Sequence, residues 1–400
     1  MSDLTGARGR DGMSKTAPPM AADAPPAAAP SQRPFAVVAP GDPAPWFHQR
    51  TLKKPTYAFD TVAGRYVVLC FFASANDETG RSAIAAAMER PDVFDDARAS
   101  FFGITLDPRD EAQERLRERY PGFRFFLDYD GQVSRLYGSI PKDAEPAAGK
   151  FPVRRFWLVL DPTLRVIHIA PLGGDDRAVI DFVAALPPPD RHAGFEIPAP
   201  VLVLPRVFEP AFCRTLIDLY ERQGGEESGY MVERDGKTVG VVDARHKRRK
   251  DVLIEDPDLI AAARGRIVRR VVPEIEKVHQ FACTRMERYL VACYAAEDGG
   301  HFRAHRDNTT KGTAHRRFAV SVLLSDDYEG GEVRFPEYGP RAYKPEAGGA
   351  VVFSCSLLHA VSKVTAGKRY AFLPFLYDEA AAKVREENAR FTERGENYRA

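Results

Sequence analysis

Residues 66–72 read Tyr66-Val67-Val68-Leu69-Cys70-Phe71-Phe72 with no polar break, an apolar run short enough for a parallel strand covered on both faces. The Ala- and Met-bearing segment from Thr79 to Glu89 predicts a helix. A strand is expected at Phe101–Leu106, a charged helix from about Asp110 to Tyr120, and a strand at Phe156–Asp161 with a hairpin partner at Val166–Ile169. Alternation of strands and helices implies an α/β unit. Pro187-Pro188-Pro189 through Pro198-Ala199-Pro200 interrupts both periods, which places a linker at 193–203 between a first domain at 35–192 and a second at 204–378.

Past the linker the pattern changes. Glu209-Pro210 opens a helix with proline in its first turn, and Gly224-Gly225 stops it; Phe212, Leu216, Leu219 and Tyr220 share one face. Leu259, Ala263, Ile267, Val271 and Ile275 recur at helical spacing over Pro257–Val278, with Pro273 placed to kink that helix. Short strands are then expected at Tyr289–Tyr294, Phe318–Leu324, Gly331–Phe335, Ala350–Phe353 and Arg369–Leu376. Two helices followed by many strands predict a sheet sandwich or jelly roll backed by helices. The fold class expected is therefore multidomain, α/β plus α+β, with a polar helical tail at 379–400.

Composition narrows the partners. Across 400 residues, 57 Lys and Arg balance 56 Asp and Glu, so no global field favours nucleic acid or an anionic surface. No apolar run approaches the ~20 residues that span a bilayer. The Ala/Pro-rich residues 1–34 lack the apolar core of an export signal and are expected to be disordered. Cys70, Cys213, Cys283, Cys293 and Cys355 are odd in number and lie in apolar stretches, so they read as buried hydrophobes, and the reducing cytoplasm is the expected compartment.

The candidate chemistry lies in the β region. His305-Arg306-Asp307 puts an imidazole and a carboxylate at i and i+2, on one face of an extended chain. His359, after the Val351–Phe353 strand, can supply a third ligand from an opposing sheet. Two histidines and one carboxylate leave three coordination positions open on Fe(II), whereas zinc is usually held tetrahedrally with one. Arg369, ten residues after His359, is suited to a bidentate salt bridge with a carboxylate of 2-oxoglutarate, with Lys368 as the runner-up. His301 would serve only in another register, and His315 reads as an exposed loop residue. The basic run Arg245–Lys250 reads as a solvated loop face that could also attract an acidic peptide or a phosphate. Asp235-Gly236 signals a hairpin turn before it.

Leu290–Tyr294, Gly300–Asn308, Tyr328–Phe335 and His359–Arg369 together resemble the prolyl 4-hydroxylase-type branch of the Fe(II)/2-oxoglutarate-dependent oxygenases, over about residues 200–378. That resemblance implies a double-stranded β-helix, iron on His305, Asp307 and His359, and Tyr294 hydrogen-bonded to the co-substrate. It also implies hydroxylation of an unactivated C–H bond, in a prolyl or other peptidyl residue or a small molecule, using O2 with release of succinate and carbon dioxide. Ascorbate is implied as a helper that restores Fe(II).

Residues 35–192 are similar to thioredoxin-like domains of the peroxiredoxin type. Their Thr-x-x-Cys turn corresponds here to Thr79-Gly80-Arg81-Ser82, so the attacking thiol is replaced by a hydroxyl with no thiolate-like form near neutral pH. Arg155 falls where that family supports the thiolate, and also reads as an exposed residue at a strand start. A degenerate redoxin fold kept for binding, docking or stability is the expectation. Two other readings are a docking protein with an inactive oxygenase half, and a thiol peroxidase working through Cys70. Oligomeric state is not legible.

Overall fold

The computed structural model describes residues 34–392 except residue 148; the expected disordered tail lies almost wholly outside the described residues, as does the end of the C-terminal one. The first region is built on a five-stranded sheet ordered Phe123–Leu127, Ala99–Thr105, Tyr66–Ala73, Phe156–Leu160, Val166–Pro171. The first three strands run parallel, and the last two add antiparallel on the other side of Tyr66–Ala73. The central strand is buried on both faces, as its unbroken apolar run requires. Helices Glu78–Met88 and Asp176–Ala185 cover one face, with Asp77 and Asp175 accepting backbone N–H groups at their starts.

One expected element is largely missing. The charged segment 110–120 is helical only over Pro108–Ala112, and Glu114 adopts φ +48°. Leu116 is the segment's one buried hydrophobic residue, so there is no apolar stripe to stabilise a longer helix.

In the second region a large antiparallel sheet runs Arg285–Glu287, Phe375–Tyr377, Phe318–Leu323, Lys368–Phe372, Leu290–Ala295, Lys250–Leu253, Glu226–Glu227, with Ala350–Ser354 and Leu202–Leu204 attached through Phe318–Leu323. One face packs on the helices Pro210–Gln223, Pro257–Arg270 and Val272–His279 through Leu216, Ile267, Ile275, Val291 and Phe372. The expected kink is a break at Val271, because Pro273 has no N–H for the carbonyl one turn back. The other face meets a smaller sheet, Lys247–Arg248, His301–His305, His359–Val361, Val333–Arg334, Ala342–Tyr343. This two-sheet arrangement is the jelly roll with supporting helices. The single strand expected at 369–376 is two, broken at Leu373-Pro374.

The two regions touch closely. Leu358 and Ala304 of the jelly roll pack into the redoxin-like cluster of Phe47, Phe59, Val62 and Leu69. Gly64, at φ +96°, lies so near Pro336 that a Cβ would sit 2.7 Å from its carbonyl oxygen.

His315 departs from its expected exposed position. It is 1% exposed and its Nε2 lies 3.0 Å from Glu287 Oε2, while Arg316 Nε donates to Glu287 Oε1 at 2.7 Å. A short 3-10 turn at Lys311–Thr313, closed by reciprocal Thr310 and Thr313 hydrogen bonds, folds the loop inward. Burial would raise the Glu287 carboxyl, but Arg316 and His315 outweigh it and hold it down to about 2. Glu287→Ala is expected to destabilise the fold by about 3–5 kcal/mol in urea unfolding at pH 7, since it removes the buried carboxylate that His315 and Arg316 share. Because this folded-state pKa is depressed, the contribution is complete above the unfolded value of about 4.3 and is lost as the pH falls toward 2.

Candidate functional site

His305 ends the His301–His305 strand and stands directly opposite His359 on the antiparallel strand His359–Val361. Asp307 follows two residues later, its N–H donating to the Cys355 carbonyl at 2.9 Å, which returns its side chain to the face of the two histidines. Nε2 of His305 lies 3.5 Å from Asp307 Oδ1, and Nε2 of His359 lies 3.3 Å from Asp307 Oδ2. One ligand atom from each residue falls within 4.8 Å of the others. The strand pairing thus brings together the three side chains that the sequence singled out, with His359 on the neighbouring strand of the same sheet and not on the opposing sheet expected for it.

Both imidazoles are oriented from behind. Nδ1 of His305 is 2.7 Å from the Arg303 carbonyl, and Nδ1 of His359 is 3.0 Å from that of Leu357. Each carbonyl fixes the proton on Nδ1 and leaves the Nε2 lone pair directed at the shared centre. Phe302 stacks on His305 with centroids 3.5 Å apart, and Phe353 lies 4.6 Å from His359. Burial, with His305 adding to it, pushes the His359 imidazole down to about 4, so it is neutral and able to ligate at neutral pH. Burial would raise the Asp307 carboxyl, but His359 and His305 hold it well below the usual carboxylate range. Two imidazole nitrogens and a carboxylate on one side of a common point form a facial set for a divalent cation.

A second cluster lies deeper between the sheets. Arg369 and Tyr294 are paired residues on neighbouring strands, and both are 1% exposed. Arg369 Nη2 donates to Ser321 Oγ at 2.9 Å, while its Nε and Nη1 and the Tyr328 hydroxyl are buried without hydrogen-bond partners. The guanidinium carbon lies 4.9 Å from the Tyr294 ring centroid. Gly331, at φ +68°, makes room for this side chain: a Cβ there would sit 2.9 Å from Arg369 Cδ. Buried donors without acceptors are costly, and a carboxylate accepting from both nitrogens would satisfy them. The donor set therefore fits the distal carboxylate of 2-oxoglutarate. Lys368, the runner-up, points to the opposite face, where its Nζ pairs with Glu221 at 3.2 Å.

The sequence reading missed part of this cluster. In the basic run, Arg245 lies exposed in a turn, while from Lys247 onward successive side chains alternate: Arg248 faces solvent, and Lys247 and Arg249 face inward at 5% and 7% exposure, which corrects the solvated-face expectation. Arg249 Nη2 pairs with Asp251 at 2.6 Å and its guanidinium carbon lies 5.8 Å from the Tyr294 ring. Burial, reinforced by Arg249, pushes the Lys247 amine down to about 5. Six consecutive basic residues carry no apolar–polar alternation, so the sequence offers no signal for which of them turn inward. His301 stays outside the triad, its ring nitrogens near the Gly299 and Arg245 carbonyls.

His246 lies 6.5 Å from His305, ring centroid to ring centroid. Burial and the nearby cations Arg124, Arg303 and Arg245 lower the amine of Lys54, which comes from the redoxin-like region.

The redoxin-like region shows no comparable site among the described residues. Ser82 is exposed on the helix begun at Asp77, and both terminal nitrogens of Arg155 are engaged by the Asp77 carboxylate, one at 2.9 Å and the other at 2.8 Å. Cys70 is fully buried and burial pushes its thiol well above its ordinary value, so the Cys70 peroxidase reading has no thiolate to rest on.

Comparison with known proteins assigns each region separately. Residues 289–377 match the family model of the 2OG-Fe(II) oxygenase superfamily, and residues 40–169 match that of the AhpC/TSA family. The PKHD-type hydroxylase azo0608 of Azoarcus sp. (strain BH72) is 28% identical over 144 residues, 33% of this chain and 62% of that protein. A PKHD-type hydroxylase of Pseudomonas putida is 38% identical over 91 residues, 20% of this chain and 39% of its own. The chain thus spans less than two thirds of the length of these curated relatives. Among solved structures, a prolyl hydroxylase from Trichoplax adhaerens in complex with a hypoxia-inducible-factor peptide fragment aligns at 19% identity and TM-score 0.37, covering 47% of this chain and 86% of that one. Peroxidoxin BcpB from Mycobacterium tuberculosis aligns at 20% identity and TM-score 0.31, covering 37% and 95%. The chain joins an AhpC/TSA-like region to a 2OG-Fe(II) oxygenase-like region, and the oxygenase superfamily implies Fe(II) and 2-oxoglutarate. Among the described residues no helix is long and apolar enough to cross a membrane.

Proposed function

We propose that this protein is an Fe(II)- and 2-oxoglutarate-dependent hydroxylase of the prolyl 4-hydroxylase type, with catalysis in residues 204–378, the linker at 193–203 and the redoxin-like region at 35–192. The observation that carries the reading is the meeting of His305, Asp307 and His359 within 4.8 Å on the smaller sheet, whose Phe302 and Val361 pack against Tyr294, the strand partner of the buried guanidinium of Arg369 on the larger sheet. His305, Asp307 and His359 would hold the metal, which supplies oxygen activation when bound. Arg369 would take the distal carboxylate of 2-oxoglutarate, Tyr294 would donate its hydroxyl to the co-substrate, and Arg249 would add positive potential nearby. Phe302 and Phe353 wall the imidazoles and exclude water, which keeps the co-substrate in one orientation.

A peptidyl substrate, prolyl or otherwise, is the favoured class, and the exposed cations Arg245 and Arg303, the latter two residues before His305 on its strand, suit an acidic one. Ascorbate would maintain Fe(II) between turnovers, and the cytoplasm would keep it reduced. The testing experiment is an anaerobic titration of the full chain with Fe(II) and 2-oxoglutarate. A visible charge-transfer band that needs both additions is expected, followed on aeration by succinate formation that acidic prolyl peptides accelerate. No band with saturating Fe(II) and 2-oxoglutarate would overturn the reading.

A further inference from the structure

The residues flanking the three candidate ligands point away from the metal, because successive side chains on an extended strand alternate between faces. Here that second face is covered by the redoxin-like region. Ala304, before His305, and Leu358, before His359, both pack into the redoxin-like core cluster. Arg306, between His305 and Asp307, is 6% exposed, and its Nε donates to Asp60 Oδ2 at 2.9 Å. Its Nη2 donates to Glu337 Oε1 at 2.8 Å, and its Nη1 to the Ser356 carbonyl. The Trp46 ring of the redoxin-like region lies 4.2 Å from its guanidinium carbon. Glu337 in turn accepts the Leu358 N–H at 3.1 Å, one residue before the third ligand.

Asp60, Arg306 and Glu337 are all under 9% exposed, so this is a buried ionic triad rather than a surface pair. A buried triad is a poor source of net stability, since desolvation of three charges offsets their attraction. Its geometry is nonetheless specific: the guanidinium fork fixes the backbone of residue 306 against two carboxylates, and residues 305 and 307 are its immediate neighbours. One carboxylate comes from the opposite region of the chain.

Resting on the functional reading above, we propose that Asp60 is a positioning residue for the metal centre, so that the redoxin-like region completes the iron site from behind through Arg306 instead of acting on substrate or thiols. Position 82 carries serine, and the 3-10 turn Phe59–Val62 and Trp46 back the ligand strands through the Asp60 and Trp46 contacts with Arg306. The structure accordingly ties the ligand spacing to the contact between the two regions.

The test uses the full chain and two readouts other than turnover: anaerobic Fe(II) affinity and the visible absorption of Co(II) bound in place of iron. Asp60→Ala is expected to weaken Fe(II) binding by about 10- to 100-fold, the usual effect of removing support behind a ligand, and to shift the Co(II) bands. Asp60→Asn keeps an oxygen acceptor for Arg306 Nε and is expected to fall between wild type and Asp60→Ala. Asp176→Ala, which removes the 2.7 Å bond from Trp157 inside the redoxin-like core, serves as control and is expected to lower the melting temperature without altering the metal readouts. A folded Asp60→Ala with wild-type affinity and spectrum overturns the proposal. So does equal weakening by Asp176→Ala, which would reduce the effect to general destabilisation. Should Asp60→Ala fail to fold, wild-type affinity and spectrum in Asp60→Asn overturn it. Failure of the wild-type chain to bind Fe(II) would instead overturn the functional reading.

Discussion

Asp307→Ala is expected to lower Fe(II) affinity by about 10³-fold or more and to take 2-oxoglutarate turnover below detection, while the chain stays folded. The carboxylate is the only anionic member of the triad and lies between the two histidines, 3.5 Å from one Nε2 and 3.3 Å from the other. Removing it leaves two imidazole nitrogens, and a divalent cation loses both a ligand and its charge compensation. The fold should tolerate the change because the backbone bond from Asp307 to Cys355 does not involve the side chain. Calorimetric titration with Fe(II) under anaerobic conditions, together with circular dichroism, checks both halves. Retention of wild-type affinity would show that the metal binds elsewhere.

Arg369→Ala is expected to raise the KM for 2-oxoglutarate by about 10²- to 10³-fold with Fe(II) affinity unchanged, since truncating one side of a buried charge pair costs roughly 2–5 kcal/mol. The guanidinium is 1% exposed, is tied to Ser321 by one nitrogen, and has two others without partners. Arg369→Lys should recover only part of the loss, because an ammonium cannot reproduce the planar fork. Lys368→Ala should leave the KM near wild type, its Nζ being turned outward to Glu221. The reverse ranking, measured by succinate formation against 2-oxoglutarate concentration, would assign the carboxylate to Lys368.

These two results would separate the metal from the co-substrate, and the Asp60 variants would separate both from the backing region. A loss of metal affinity after a change in the redoxin-like half would explain why a chain with serine at position 82 keeps that fold. The region would then be retained for the shape it gives to strands it does not contain.

What the sequence determined by itself was mainly local. The unbroken apolar run at 66–72 has the length of a doubly covered strand, and Pro210, Pro273 and Gly224 set helix boundaries through φ restriction and missing donors. The i, i+2 spacing of His305 and Asp307 required a shared face. The length of the helix at 108 was not legible, because a charged segment has propensity without a partner, and packing decides whether it winds.

The tertiary structure decided whatever depends on residues far apart in the chain. Opposition of His305 to His359 is a matter of antiparallel register, and the choice of Arg369 over Lys368 is a matter of which side of the sheet becomes interior. The inward turn of Lys247 and Arg249 and the burial of His315 on Glu287 follow from the same cause. The bond between Arg306 and Asp60 joins residues 246 positions apart, and no local pattern encodes it. Side-chain chemistry is written residue by residue, but burial, which sets both its charge state and its partner, exists only once the sheets have closed.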